Sequence, residues 1–408
     1  MQINKTSKAS IMPENAQKFI FTRYLYIKDE VRLTLLTSIL NKSEKSIFWA
    51  YELYYSGFEI ELFDLLWKIY FDFYYTLNPA FYIYFAKKQK EWRKLVKESV
   101  EKNKIISTIV SNLLIRPHNL DVFLLRHTVQ NFDIDFGASR SDSEGERLES
   151  VTLVKDSEYD ISQEQITEWL DNKDYLNIAE LIINRCNLEQ LDGFMLHIAS
   201  YFKNKNINIK LDARVKSANS MVDQKHIALA NIMLLFSSLE NLVMGKKLYI
   251  IIEEKEIEKY ETIYSDYDNS FYSYKILPKA CIYSIDEDNY LSLFALQRYS
   301  VNLYTAYNKD WEYYASFSPV WNERITKYNG TINHETKKID FPEDDEDFDE
   351  FYNNFGYETD EQKTVTQNKS IQTIMQVRTW VKFYEEHKKN GLYIPDQEYL
   401  DEFDRVEY

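Results

Sequence analysis

The chain has 408 residues, 45% of them hydrophobic, and a formal net charge of −16. That apolar content excludes global disorder, and eight glycines with seven prolines are too few for the many tight turns of a sandwich or barrel. Acid is concentrated in residues 340–362, which hold eleven Asp or Glu and no Lys or Arg; without them the charge is −5, so the body is mildly acidic and no whole-chain basic footprint for nucleic acid exists.

In chain order, residues 1–15 are polar, read as a flexible tail, and lack the apolar core of a signal peptide. A helical-repeat domain is predicted over 16–136. Val31, Leu35, Leu36, Ile39 and Leu40 share one face at helical spacing. After a break at 41–46, Ile47, Ala50, Tyr51 and Tyr54 align in a second helix, closed by Gly57, which tolerates the left-handed turn that ends helices. A third helix over 60–77 buries Leu62, Leu65, Leu66, Ile69 and Phe73. Asn78-Pro79 then marks a boundary, Asn as the cap and Pro in the first turn of a fourth helix. That helix carries Tyr82, Tyr84 and Phe85, and a further helical run over 105–132 completes the unit. Short antiparallel pairs bury their apolar faces only by stacking. The predicted fold is therefore mainly α, with stacked helix pairs of the α-solenoid or HEAT-like kind.

Residues 137–160 shift to Ser, Asp, Glu and Arg and read as an acidic linker. A second, mainly helical domain is expected over 161–335, opened by the capping-box pattern Ser162-x-x-Gln165. Helices follow at 175–184, 188–202 and 227–244. Beyond Gly245 the pattern is irregular, and 248–252 reads as a strand or a buried helical turn, leaving room for a short β element. Residues 336–370 read as an acidic flexible segment, and 371–408 as a last helix and polar tail. The longest apolar stretch, 60–85, contains Glu61, Asp64, Lys68 and Asp72, the wrong pattern for a membrane span.

No phosphate-cradling glycine loop, Rossmann glycine pattern or nucleophile elbow is present, and eight glycines leave little material for one. His118, His127, His197, His226, His334 and His387 form no close ligand pair in sequence. Cys186 and Cys281 sit in apolar or helical surroundings, where a thiol packs. No catalytic, cofactor-binding or metal-binding residue is assigned, and no cofactor is expected.

Three surface features remain. Trp92 lies among Lys87, Lys88, Lys90, Arg93, Lys94 and Lys97, a basic cluster able to contact phosphates, against the plainer reading of a solvated helix face. Trp49 and Trp67 lie within hydrophobic helices and are assigned to the core. Asp344, Asp345, Glu346, Asp347, Phe348, Phe351 and Tyr352 alternate acid with aromatic, as in segments that dock on a partner's groove; plain disorder carries equal weight. Ser141 and Ser143 each precede an acid by three residues, a pattern acidophilic kinases prefer.

The stretch SIFWAYELYYSGFEIELFDLLWKIYFDFYYTLNP (46–79), the stretch WEYYASFSPVW (311–321) and the overall richness in Asn, Ile, Lys and Tyr resemble uncharacterised helical proteins of large nucleocytoplasmic DNA viruses. The resemblance implies a host-cytoplasmic or virion setting and brings no catalytic residues with it. The expectation is a non-enzymatic, cytoplasmic helical scaffold or adaptor that binds protein partners and no membrane. The alternative is an accessory subunit of a transcription, replication or translation machine that binds nucleic acid through its basic patches.

Overall fold

The computed structural model describes residues 19–96, 99–131, 162–209, 224–261, 280–282, 301–342, 345–356, 363–370, 375–377, 380–397 and 399–400. The protein is mainly helical, with a small antiparallel sheet in its C-terminal part. The first helices are α1 (Lys28–Leu40), α2 (Lys45–Tyr54) and α3 (Glu59–Ile69), the last running on as a π-turn at Tyr70–Tyr74. Then come α4 (Phe81–Lys94), α5 (Val100–Leu114) and α6 (Asp121–Asn131). The middle holds α7 (Gln163–Asn172), α8 (Tyr175–Glu180) with a second π-turn at Leu181–Arg185, α9 (Leu188–Asn204), α10 (Gln224–Leu239) and α11 (Glu254–Glu261). The remainder is β1 (Ala280–Ile282), α12 (Leu303–Asn308), α13 (Trp311–Ala315), α14 (Pro319–Lys327), β2 (Thr331–Asn333), β3 (Lys338–Asp340), α15 (Asp345–Phe355), α16 (Thr364–Ser370), β4 (Met375–Val377) and α17 (Trp380–His387).

Helix faces follow the apolar spacing. Leu62, Leu65, Leu66, Ile69 and Phe73 are all buried, and the π-turn lets the five residues Tyr70–Tyr74 bury together. Gly57 takes φ +91° after α2, and a Cβ there would also strike the ring of Pro319. Ser162 Oγ accepts the Gln165 N–H at 3.2 Å as the pattern predicted. A complete reciprocal capping box sits at Asn187 and Gln190, opening α9. Asn78 does not cap α4. Its Nδ2 donates to the Tyr74 and Pro117 carbonyls, both at 2.8 Å, and the helix begins two residues later than a cap at Asn78 requires.

The packing differs from a linear stack, in which each pair would touch only its neighbours. Helix α5 packs against α1, α2, α4 and α11, while α6 packs against the first π-turn, α8 and α10. One hydrophobic core runs through residues of α1–α6, continues into α7–α11, and takes in Trp380, Phe383, Tyr393 and Leu400 from the C-terminal segment. The expected linker at 137–160 lies outside the described residues, and buried residues on both sides of it belong to this core.

A second, smaller cluster gathers Tyr307, Trp311, Tyr313, Tyr314, Trp321 and Ile325 around Phe19, Phe21 and Leu25. Residues 19–27 join the two clusters, because Tyr24 and Tyr26 belong to the larger one. The Trp321 indole N–H donates to the Thr22 carbonyl at 3.1 Å across this seam.

The β element is not at 248–252, which is irregular and leaves Leu248 and Ile251 exposed. Strands β2 and β3 pair antiparallel, with Ile332 opposite Ile339; β1 and β4 pair in parallel, with Cys281 opposite Gln376.

Candidate interaction surfaces

The acidic segment was expected to be flexible, yet its middle is helix α15. Phe348, Phe351, Tyr352 and Phe355 recur at i, i+3, i+4 and i+7 and so share one face. That face lies on the second cluster. Phe351 is fully buried, and its ring stands 5.0 Å from Phe341 and 6.1 Å from Tyr328. Phe355 meets Trp321 at 6.1 Å, with the Arg324 guanidinium over it at 4.7 Å. The Tyr352 hydroxyl donates to Glu312 at 2.7 Å. Apolar burial outweighs the charge repulsion because the acids need not be buried to achieve it.

Glu346, Asp349, Glu350 and Asn353, also at i, i+3, i+4 and i+7, form the opposite, exposed face. The three carboxylates make no ion pair among the described residues. Asp347, at the edge, accepts a hydrogen bond from Asn329 at 2.8 Å. Phe348 remains 45% exposed beside these acids. Of the predicted docking residues, Asp344 and the Asp345 side chain lie outside the described residues.

The basic cluster is partly dismantled. Trp92 is buried against Phe63 at 4.8 Å, its indole N–H donating to the Tyr54 hydroxyl at 3.3 Å and Lys102 lying over its ring. It has no face to offer a base. Lys88 pairs with Glu91 at 2.8 Å, and Lys87 approaches the same carboxylate at 3.9 Å. Lys90, Arg93 and Lys94 are exposed and form no ion pair among the described residues. Lys97, Ser141 and Ser143 lie outside the described residues.

Sequence spacing missed the buried ionic contacts, whose partners are far apart along the chain. Asp72, in the first π-turn, receives Arg126 Nη2 at 2.8 Å and Nε at 3.2 Å, and His226 Nε2 lies 2.6 Å from its Oδ1. Burial opposes ionisation, but the Arg126 guanidinium and His226 hold this carboxyl well below the usual range. Glu52 similarly accepts Arg23 Nε at 3.0 Å and the Tyr24 N–H at 3.1 Å.

His118 Nε2 lies 3.2 Å from His387 Nδ1, a pair no local motif announces. Burial lowers the two to about 3 and about 4, so both are neutral at pH 7, when one ring must donate and the other accept. Nearby, the Lys42 ammonium donates to the Tyr74 hydroxyl at 2.8 Å and the Arg116 carbonyl at 2.6 Å, and burial pulls it down to about 7. No group of three or more His, Cys, Asp or Glu able to hold a metal occurs among the described residues. Cys186 is buried, and burial pushes its thiol up, away from the reactive thiolate. No helix among the described residues is long and apolar enough to cross a membrane.

No family model, curated protein or solved structure matches the chain.

Proposed function

We propose that this chain is a non-enzymatic helical adaptor that binds a basic segment of a protein partner through the exposed face of α15. The supporting observation is the division of labour on that helix. Its aromatic face anchors it to the folded body, while Glu346, Asp349 and Glu350 project without counter-ions among the described residues and Phe348 stands half-exposed beside them. A helix held at a fixed orientation presents its charges without the ordering cost a disordered arm would incur on binding. Unpaired surface carboxylates contribute little to stability, but they steer encounter with a cationic surface over about a Debye length. On the resemblance to viral proteins, we set the adaptor in the host cytoplasm or the virion.

The test uses a fluorescent Lys/Arg-rich peptide and the full chain, with Glu346→Lys, Asp349→Lys and Glu350→Lys combined. The reading expects binding that weakens as salt rises and is lost in the triple variant, with an unchanged circular dichroism spectrum. Equal binding by both proteins would remove α15 as the contact.

A second reading has one observation in its favour: Lys90, Arg93 and Lys94 are exposed together on α4 and form no ion pair among the described residues. It expects a salt-dependent gel shift with nucleic acid that Lys90→Glu with Lys94→Glu abolishes.

A further inference from the structure

Where α4 begins, the fold leaves a cavity of about 150 Å³ whose walls include Asn78, Phe81, Arg116, Lys246, Lys247 and Tyr249. Among the described residues, no Asp or Glu lines it. We propose that this cavity binds the phosphate group of a small molecule, with Arg116 as its principal contact.

The charge arrangement comes first. Arg116 is 3% exposed and has no carboxylate partner among the described residues. Its Nη1 donates to the carbonyl and the side-chain oxygen of Asn112, and its Nη2 donates to the Leu248 carbonyl at 2.8 Å. These acceptors are neutral, so the guanidinium keeps its whole charge. Its Nε has no acceptor among the described residues. A buried cation is costly unless an anion joins it. Lys246 and Lys247 add two exposed positive charges at the same cavity, and neither forms an ion pair among the described residues.

Asn78, which is 4% exposed, also lines the cavity, its Nδ2 held by the Tyr74 and Pro117 carbonyls and its Oδ1 closed off against Gly245. The ligand's contacts are therefore with the positive charges. A ligand with several oxygen acceptors engages Arg116 and both lysines at once, and a phosphate monoanion or a phosphomonoester has that combination.

Geometry narrows the class. The Arg116 guanidinium lies over Phe81 at 4.1 Å and over Tyr249 at 5.3 Å, while the Tyr249 ring also stacks on Tyr84 at 4.2 Å. These ring contacts hold the guanidinium in place at the cavity. The volume is below the roughly 300 Å³ at which sites for drug-sized ligands begin. A compact anion fits that volume. The walls are tied in advance: Asn112 Oδ1 accepts the Ile250 N–H at 3.0 Å, its Nδ2 donates to the Ile250 carbonyl at 2.9 Å, and Gly245 N–H donates to Leu77 at 2.7 Å. Such prior ordering lowers the cost of binding.

Calorimetric titration of the full chain with inorganic phosphate at low ionic strength tests the site, with sodium chloride at matched ionic strength as control. Saturable one-site binding is expected. Lys246→Ala with Lys247→Ala should weaken it about tenfold, and Arg116→Gln should abolish it. Because Arg116 also ties Asn112 to Leu248, the exposed lysine pair carries the test if the Arg116 variant does not fold. Glycerol phosphate binding more tightly than phosphate would assign a phosphomonoester, and equal affinities the free ion; both support the site. Heats no larger than those of chloride, or affinity unchanged in the lysine variant, would overturn it. A single-stranded oligonucleotide that outcompetes phosphate and loses its affinity in the lysine variant would overturn the small-molecule assignment.

Discussion

Asp121 accepts the backbone N–H of Leu392 through both carboxylate oxygens, at 2.9 and 3.1 Å. Its Oδ1 also accepts from the Tyr393 N–H at 3.0 Å. One side chain at the start of α6 therefore fastens the segment that follows α17, and a Cβ on Gly391 would come within 3.0 Å of the same oxygen. Phe383 and Trp380 complete the docking against Phe123.

Replacing Asp121 by Ala should release this segment. Each N–H left without an acceptor costs about 1–3 kcal/mol, so the two together should lower stability by about 2–6 kcal/mol. Urea unfolding would measure the loss, and amide exchange in residues 380–397 would quicken. A wild-type midpoint with unchanged exchange would show that the segment docks without this tether.

Acid should destabilise the fold from about pH 6.5 downward. Burial lowers His118 to about 3, His127 to about 3 and His387 to about 4, against an unfolded value of 6.5. For each, the folded pKa is below the unfolded one. The stability contribution is therefore complete above pH 6.5 and is lost as pH falls through the folded values. Asp121 acts in the opposite sense. Burial raises it to about 7 although the Tyr393 and Leu392 N–H groups pull it down, so its contribution is complete below 3.8 and fades as pH rises through 7. Three histidines outweigh one carboxyl, and Tm should fall between pH 6.5 and 4.5. His118→Gln should make that slope shallower. A Tm independent of pH over this range would contradict the buried neutral histidines.

Asp72→Ala should cost about 3–5 kcal/mol, the usual penalty for removing one member of a buried ion pair, because Arg126 stays buried without its counter-charge. Chemical denaturation gives the value. A loss below 1 kcal/mol would mean that the cluster hydrates or rearranges.

Phe351→Ala should destabilise by about 3–5 kcal/mol, since the ring is fully buried among Phe341, Tyr328 and Phe355. Glu350→Gln, on the exposed face of the same helix, should stay within about 0.5 kcal/mol. Equal melting temperatures for the two variants would mean that α15 does not pack as described.

By itself, the sequence determined the helical class and much of which face of each early helix is buried. The placement of Leu62, Leu66, Ile69 and Phe73 depends on spacing within two or three turns. Gly57 and Ser162 were legible for the same reason, because a left-handed turn and an N-cap are local arrangements. The acidic segment was not. Phe348, Phe351 and Tyr352 among carboxylates suit a solvated arm and a packed helix equally well, and only the nearby Phe341, Trp321 and Tyr328 decide for packing. Tertiary structure alone joined Asp72 to Arg126 and His226, His118 to His387, and Asp121 to Leu392. A charge or polar group far along the chain leaves no periodic trace in its partner's neighbourhood. Whether it costs or stabilises is decided by what the fold brings within about 3 Å of it.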